Sequence, residues 1–193
     1  YSKFYDINVR YIDINKNNEI VKSEKMNKRV DSEYGTDKKD IKGYTFVKVT
    51  GEPNGRVVSN IDVKYFYKKN SKIKVNYIDK KTNKKLDESI NDGLEGDDFK
   101  LEKKNFKNYV LIEGPKESSI KFLDKDVEIN YYYIKESDLI VKHIDKDNNK
   151  IMDTEIKKLR EGSEYSTSKK EFDNYILVKK PEIEKGTIGR NNV

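Results

Sequence analysis

The 193 residues contain no cysteine and no tryptophan, only 3 prolines and a single histidine. Without cysteine there is neither a disulfide framework nor thiol chemistry. Nucleophilic catalysis by a serine, a histidine base and an orienting carboxylate would rest entirely on His143. No apolar run approaches the ~20 residues that span a bilayer as a helix. No leader-like segment stands in the chain either, so any export signal or anchor is expected outside this stretch. One-sided charge is also missing. The 41 Lys and Arg face 35 Asp and Glu, for a net charge of +6. The two signs interleave, as in Lys80-Lys81-Thr82-Asn83-Lys84-Lys85-Leu86-Asp87-Glu88. Nucleic-acid binders gather their basic residues on one face, so neither nucleic acid nor a membrane is an expected partner of this segment.

What is present argues for folded modules. At 39% charged and 34% hydrophobic the chain approaches the composition of disordered proteins. Against disorder, aromatics reach 11%, with 14 Tyr and 7 Phe, and they fall in alternating runs. The segments Ile7-Asn8-Val9-Arg10-Tyr11-Ile12-Asp13, Ile73-Lys74-Val75-Asn76-Tyr77-Ile78-Asp79 and Leu139-Ile140-Val141-Lys142-His143-Ile144-Asp145 are copies of one another. Their aspartates sit 66 residues apart both times, which is the signature of an internal repeat. Each copy is followed by a polar turn: Asn15-Lys16-Asn17-Asn18, Lys81-Thr82-Asn83-Lys84 and Asp147-Asn148-Asn149-Lys150. A closing strand reads Ile61-Asp62-Val63-Lys64-Tyr65-Phe66-Tyr67 in the first copy and Val127-Glu128-Ile129-Asn130-Tyr131-Tyr132-Tyr133 in the second.

The periodicity within each run is two, so each predicts a strand with one buried face. Asx-rich turns predict hairpins. Segments 36–40, 103–105 and 168–171 have room for one short helical turn, and Gly43, Asn108 and Asn174 suit a left-handed stop after it. The expected fold is mainly β, α+β at most, built of tandem small modules. Residues 1–5 read as the end of a preceding repeat, 6–69 as repeat 1, 70–135 as repeat 2 and 136–193 as a repeat 3 lacking its last strand. Both ends are therefore expected to fall inside a longer array. Links between repeats are short, Lys68-Lys69-Asn70-Ser71 and Lys135-Glu136-Ser137-Asp138. At ~3.3 Å per strand residue, a repeat should span roughly 30 Å, and three end to end would make a monomeric rod.

The order Val-x-Tyr-Ile-Asp, polar turn, Glu-Tyr, Gly/Asn-Tyr and Tyr-rich closing strand resembles the MucBP (mucin-binding protein) repeat of Gram-positive surface adhesins. Val9, Tyr11, Asp13, Tyr34, Gly43, Tyr44, Val63, Tyr65 and Tyr67 carry the resemblance in repeat 1. Gly43 becomes Asn108 and Asn174, and Tyr77 becomes His143, in the other copies. The resemblance implies a β-grasp, ubiquitin-like module in an elongated, extracellular, cell-wall-anchored protein. It also implies host mucin glycoprotein or another glycan as partner.

Sites of chemistry are few. His143 replaces an aromatic on a packing face, which is a structural substitution. Asp13, Asp79 and Asp145 stand where a hairpin turn needs a side-chain acceptor for the backbone two residues on. A glycosidase pair would need a second carboxylate across a cleft. Asp13-x-Asn15-x-Asn17 with Glu24 matches part of a calcium loop. However, Asn18 replaces its sharp-turn glycine, and the twelfth position is Ile90 in repeat 2 and Ile156 in repeat 3. No metal, cofactor or catalytic residue is expected. For a glycan, the candidates are Phe66 and Tyr132, which strand alternation sets opposite the tyrosine face. The alternative is that these two cover a second cluster with Ile12 and Ile78, and that the chain is a spacer without a ligand of its own.

Overall fold

The computed structural model describes residues 1–192, and among them are fourteen β-strands and no helix. β1 (Phe4–Asp13) pairs antiparallel with β2 (Asn18–Arg29) and parallel with β6 (Ile61–Asp79). The first and closing strands of a repeat are thus parallel neighbours, with Val9 facing Val63 and Tyr11 facing Tyr65. β4 (Tyr44–Thr50) lies antiparallel along β6, with an irregularity between Phe46 and Lys48. β3 (Glu33–Gly35) and β5 (Asn54–Arg56) form a separate ribbon. In the second repeat β7 (Lys85–Leu94) pairs β6, β8 (Asp98–Lys100) pairs β10 (Ser119–Lys121), and β9 (Tyr109–Glu113) pairs β11 (Val127–Ile144). In the third, β12 (Ile151–Arg160) pairs β11 and β13 (Glu164–Ser166) pairs β14 (Lys185–Thr187).

The alternation read from sequence sorts inside from outside. Ile7, Val9 and Tyr11 on β1 and Val63, Tyr65 and Tyr67 on β6 are all buried. The residues between them carry polar cross-strand contacts, with Asn8 Nδ2 donating to Asp62 Oδ1 at 3.2 Å.

Two expectations change. The links at 68–71 and 135–138 are not links, because β6 and β11 run through them unbroken. Ser71 and Ser137 are buried there, and their hydroxyls donate to the carbonyls of Lys125 and Gly189 at 3.2 and 3.1 Å. Nor does a helical turn form at 36–40, 103–105 or 168–171, where the backbone is irregular. Core tyrosine hydroxyls take the polar groups that a helix would pair internally. Tyr67 Oη accepts from the Lys39 N–H and donates to the Lys39 carbonyl, both at 2.9 Å. Tyr133 Oη repeats the donation to the Lys104 carbonyl at 2.7 Å. The left-handed stop does occur, with φ of 80° at Gly43, 61° at Asn108 and 63° at Asn174. Each closes a turn in which the next tyrosine's N–H returns to the carbonyl three residues back.

The chain divides into two compact units. One comprises Tyr1–Lys74, Ser89–Leu101 and Glu117–Glu128; the other comprises Val75–Glu88, Glu102–Lys116 and the chain from Ile129 onward. The middle repeat contributes to both. In the first unit the core gathers Ile7, Val9, Tyr11, Tyr34, Val57, Val63, Tyr65 and Tyr67, with Tyr11 stacked on Tyr65 at 5.7 Å between ring centroids. In the second, Tyr77 stacks on Tyr131 at 5.4 Å and Phe106 meets Tyr133 edge-on at 5.1 Å. Such ring pairs add roughly 0.5–1.5 kcal/mol each beyond area burial, which matters for modules too small to have a thick core.

Candidate functional site: outward aromatics, turn aspartates and a recurring lysine

The aspartate ending each first strand organises its hairpin. Asp13 Oδ1 accepts from the N–H groups of Asn15 and Lys16 at 2.9 and 3.1 Å. Asp79 Oδ1 does the same for Lys81 and Thr82 at 2.9 and 3.2 Å, and Asp145 Oδ1 accepts from Asp147 at 2.9 Å. Four residues on, Asn17, Asn83 and Asn149 adopt φ of 53°, 57° and 58°, a conformation asparagine tolerates better than most residues. The turn chemistry is thus local and repeated.

The second oxygen of each aspartate lies against the tyrosine that follows the left-handed stop of its repeat. Asp13 Oδ2 is buried against Tyr44, whose hydroxyl pKa is raised by burial and by this carboxylate. Asp145 Oδ2 accepts from Asn148 Nδ2 at 2.8 Å and from the Tyr175 hydroxyl at 3.4 Å. Asp79 Oδ2 meets Arg190 Nη2 at 2.6 Å and accepts from the Tyr109 hydroxyl at 3.1 Å. Arg190 Nη1 also reaches Glu161 at 2.8 Å. Burial by itself would raise the Asp79 pKa. The Arg190 guanidinium, the Thr82 and Lys81 N–H groups and the Tyr109 hydroxyl outweigh it and hold the carboxyl at about 2.

A recurring lysine escaped the sequence reading. Lys39, Lys104 and Lys170 occupy equivalent positions in the irregular segment, and each pairs with a carboxylate from the second strand of its own hairpin: Glu24, Asp87 and Asp153. Lys39 Nζ stands 4.5 Å from the Tyr11 ring and Lys104 Nζ 4.8 Å from Tyr77. These ammoniums close the rim of the tyrosine face by cation–π contact. The signal in sequence was a lysine at near-constant spacing; its partner lies across an irregular loop and so was not legible.

Phe66 and Tyr132, the glycan candidates, are both half-buried. Phe66 faces Ile12 across the parallel β1–β6 pair, and Lys48 Nζ lies 5.4 Å from its ring. Tyr132 faces Glu113 on β9; Lys80 Nζ lies 5.6 Å from the ring and is ion-paired with the same Glu113. Each ring is therefore half-buried with a lysine ammonium lying over it. The lysines come from non-equivalent positions, a strand in one case and a turn in the other. On the other face of the first unit, Lys38, Lys39, Lys42, Tyr44, Phe46 and Tyr67 are among the residues lining an open groove of about 600 Å³.

The MucBP domain, as a family, matches residues 6–68, 72–134 and 138–193, the same three intervals over which the aspartate-led turn and the lysine recur. The chain belongs to the MucBP domain family. Two Internalin J proteins of Listeria monocytogenes are similar to these MucBP repeats. The one from serovar 1/2a is 28% identical over 194 residues, covering 95% of this chain and 23% of that protein. The one from serotype 4b is 29% identical over 198 residues, covering 96% of this chain and 21% of that protein. This chain therefore spans less than a quarter of the length of either relative. Among solved structures, the type 2 repeat of the mucus binding protein MUB from Lactobacillus reuteri aligns at 12% identity with a TM-score of 0.27. It covers 68% of this chain and 99% of that one. The crystal structure of Mub-RV aligns at 11% identity with a TM-score of 0.26, covering 68% and 98%.

Proposed function

We propose that these MucBP repeats are a non-catalytic segment of a bacterial surface adhesin, exposed outside the cell wall, and that they bind glycans of the host mucin type. The observation that carries this reading is the recurrence of an outward aromatic, Phe66 and Tyr132, with a lysine ammonium 5.4 and 5.6 Å from its ring. An aromatic face stacks on the apolar face of a sugar, and a neighbouring cation favours sugars that carry acid groups. A non-catalytic role is supported by where the repeated carboxylates are engaged. Asp13, Asp79 and Asp145 accept from their own turns, and Asp87 and Asp153 pair with lysines.

A second reading, a spacer without a ligand, is favoured by one specific fact. Lys48 and Lys80 are not equivalent positions, so the chemistry around the two rings is not itself repeated. Binding of the chain to immobilised mucin, before and after enzymatic removal of its glycans, separates the two. Saturable binding at physiological salt that disappears with the glycans is expected. Binding confined to low salt would instead reflect the net charge of +6, which is screened beyond about 8 Å at physiological ionic strength, and would favour the spacer.

A further inference from the structure

We propose that the third repeat holds a divalent cation of the zinc class between His143, Asp153 and Glu155. The β11–β12 register sets His143 directly opposite Asp153, and Val141 opposite Glu155. Opposite residues share a face, and so do residues two apart on one strand, so all three side chains point to the same side. One donor atom from each lies within 4.8 Å of the others, and His143 Nε2 is 3.7 Å from Glu155 Oε1.

His143 itself points to a ligand. Its side chain is 13% exposed, and Nε2 is buried with no hydrogen-bond partner. A buried ring nitrogen left unsatisfied carries a desolvation cost and calls for a reason. The ring is fixed in place by Phe172, edge-on at 5.5 Å. A cation at Nε2 would satisfy it, and the two carboxylates beside it supply the negative charge.

The other two repeats lack the set. In repeat 1 the positions are Tyr11, Val21 and Glu24, by the same strand pairing. In repeat 2, 66 residues before, they are Tyr77, Asp87 and Ser89. Only repeat 3 brings an imidazole and two carboxylates together. Zinc takes His nitrogen and carboxylate oxygen at about 2.0–2.2 Å, usually tetrahedrally, so donors already within 4.8 Å converge by side-chain rotation alone. The mixed nitrogen and oxygen set disfavours calcium and magnesium, which prefer oxygen throughout. Lys170 Nζ, 2.6 Å from Asp153 Oδ2, is the competing cation. The metal would have to displace that ammonium from Asp153.

Because His143 is the chain's only histidine, its imidazole resonances report this site alone. Titrating the untagged chain with zinc chloride, followed by calorimetry and by NMR of the imidazole, is expected to give one saturable equivalent that moves the ring signals. Calcium and magnesium at the same concentrations should leave the ring unmoved. His143→Tyr, which restores the residue of the other repeats, and Glu155→Ser, which restores that of repeat 2, should each weaken zinc binding by at least about tenfold, since outer-shell losses alone reach that size. Zinc binding that leaves the imidazole unmoved, or that is as tight in both variants as in the parent chain, would overturn the proposal in favour of scattered surface carboxylates. If His143→Tyr fails to fold, Glu155→Ser alone decides.

Discussion

Single hydroxyls and carboxyls hold much of this structure. Tyr67 Oη makes two hydrogen bonds to the backbone of Lys39 and so fixes the lysine whose ammonium covers Tyr11. Tyr67→Phe keeps the ring but leaves a donor and an acceptor unpaired. It should lower stability by about 1–3 kcal/mol in urea denaturation, with no change in the strand content seen by circular dichroism. Asp79 gives a pH signature. Its folded pKa of about 2 lies below the ordinary value of 3.8. Its stabilisation is therefore fully present above about pH 4 and fades as pH falls toward 2, a contribution of about 2 kcal/mol. Arg190→Ala should remove part of that contribution at pH 7, the Thr82, Lys81 and Tyr109 donors keeping the rest, and so make the loss between pH 4 and 2 shallower, as read from denaturation curves at pH 7 and 2.5. An acid loss as steep in the variant as in the parent would move the origin of the effect away from Arg190.

At the level of elements, the turns explain which parts of the fold are legible in the sequence. Asn108 holds φ at 61° where repeat 1 has Gly43 at 80°, because the chain must reverse into β9 with the N–H of Tyr109 bonded to the Phe106 carbonyl at 3.1 Å. Asn108→Ala should cost about 1 kcal/mol, and Asn108→Gly should cost little, since left-handed backbone penalises a Cβ. Thermal melts of the two variants side by side make the comparison. Short-range chemistry of this kind, together with strand alternation, could be read directly: the Asp-led hairpins, the left-handed Asn and Gly positions, and Phe66 set against Ile12. What could not be read lies across irregular backbone. Segments 36–40 and 103–105 carry a helical composition, yet tyrosines some 28 residues away in sequence claim Lys39 and Lys104. Arg190 reaches Asp79 over 111 residues, and no local pattern announces it. The carboxylates beside His143 emerge only once the hairpin register is fixed.

For the molecule as a whole, repetition and difference divide the work. The aspartate turn and the rim lysine recur in all three repeats, and the tyrosine face in the first two, as expected of features that maintain each small module. The outward aromatics Phe66 and Tyr132 recur in the first two repeats and are the proposed adhesive surface. The charge contribution can be separated from them. Because the rim pairs Lys39–Glu24, Lys104–Asp87 and Lys170–Asp153 are exposed ion pairs, raising the salt concentration should shift stability only slightly.

The most direct test compares the parent chain with the Phe66→Ala/Tyr132→Ala double variant for binding to glycosylated mucin at physiological salt, after circular dichroism has established that both fold alike. The account predicts saturable, glycan-dependent binding by the parent and a loss of at least about tenfold in the variant, since losing aromatic anchors costs more than ~1.4 kcal/mol. Equal binding by the two proteins would contradict it, and would assign adhesion to another surface of these MucBP repeats.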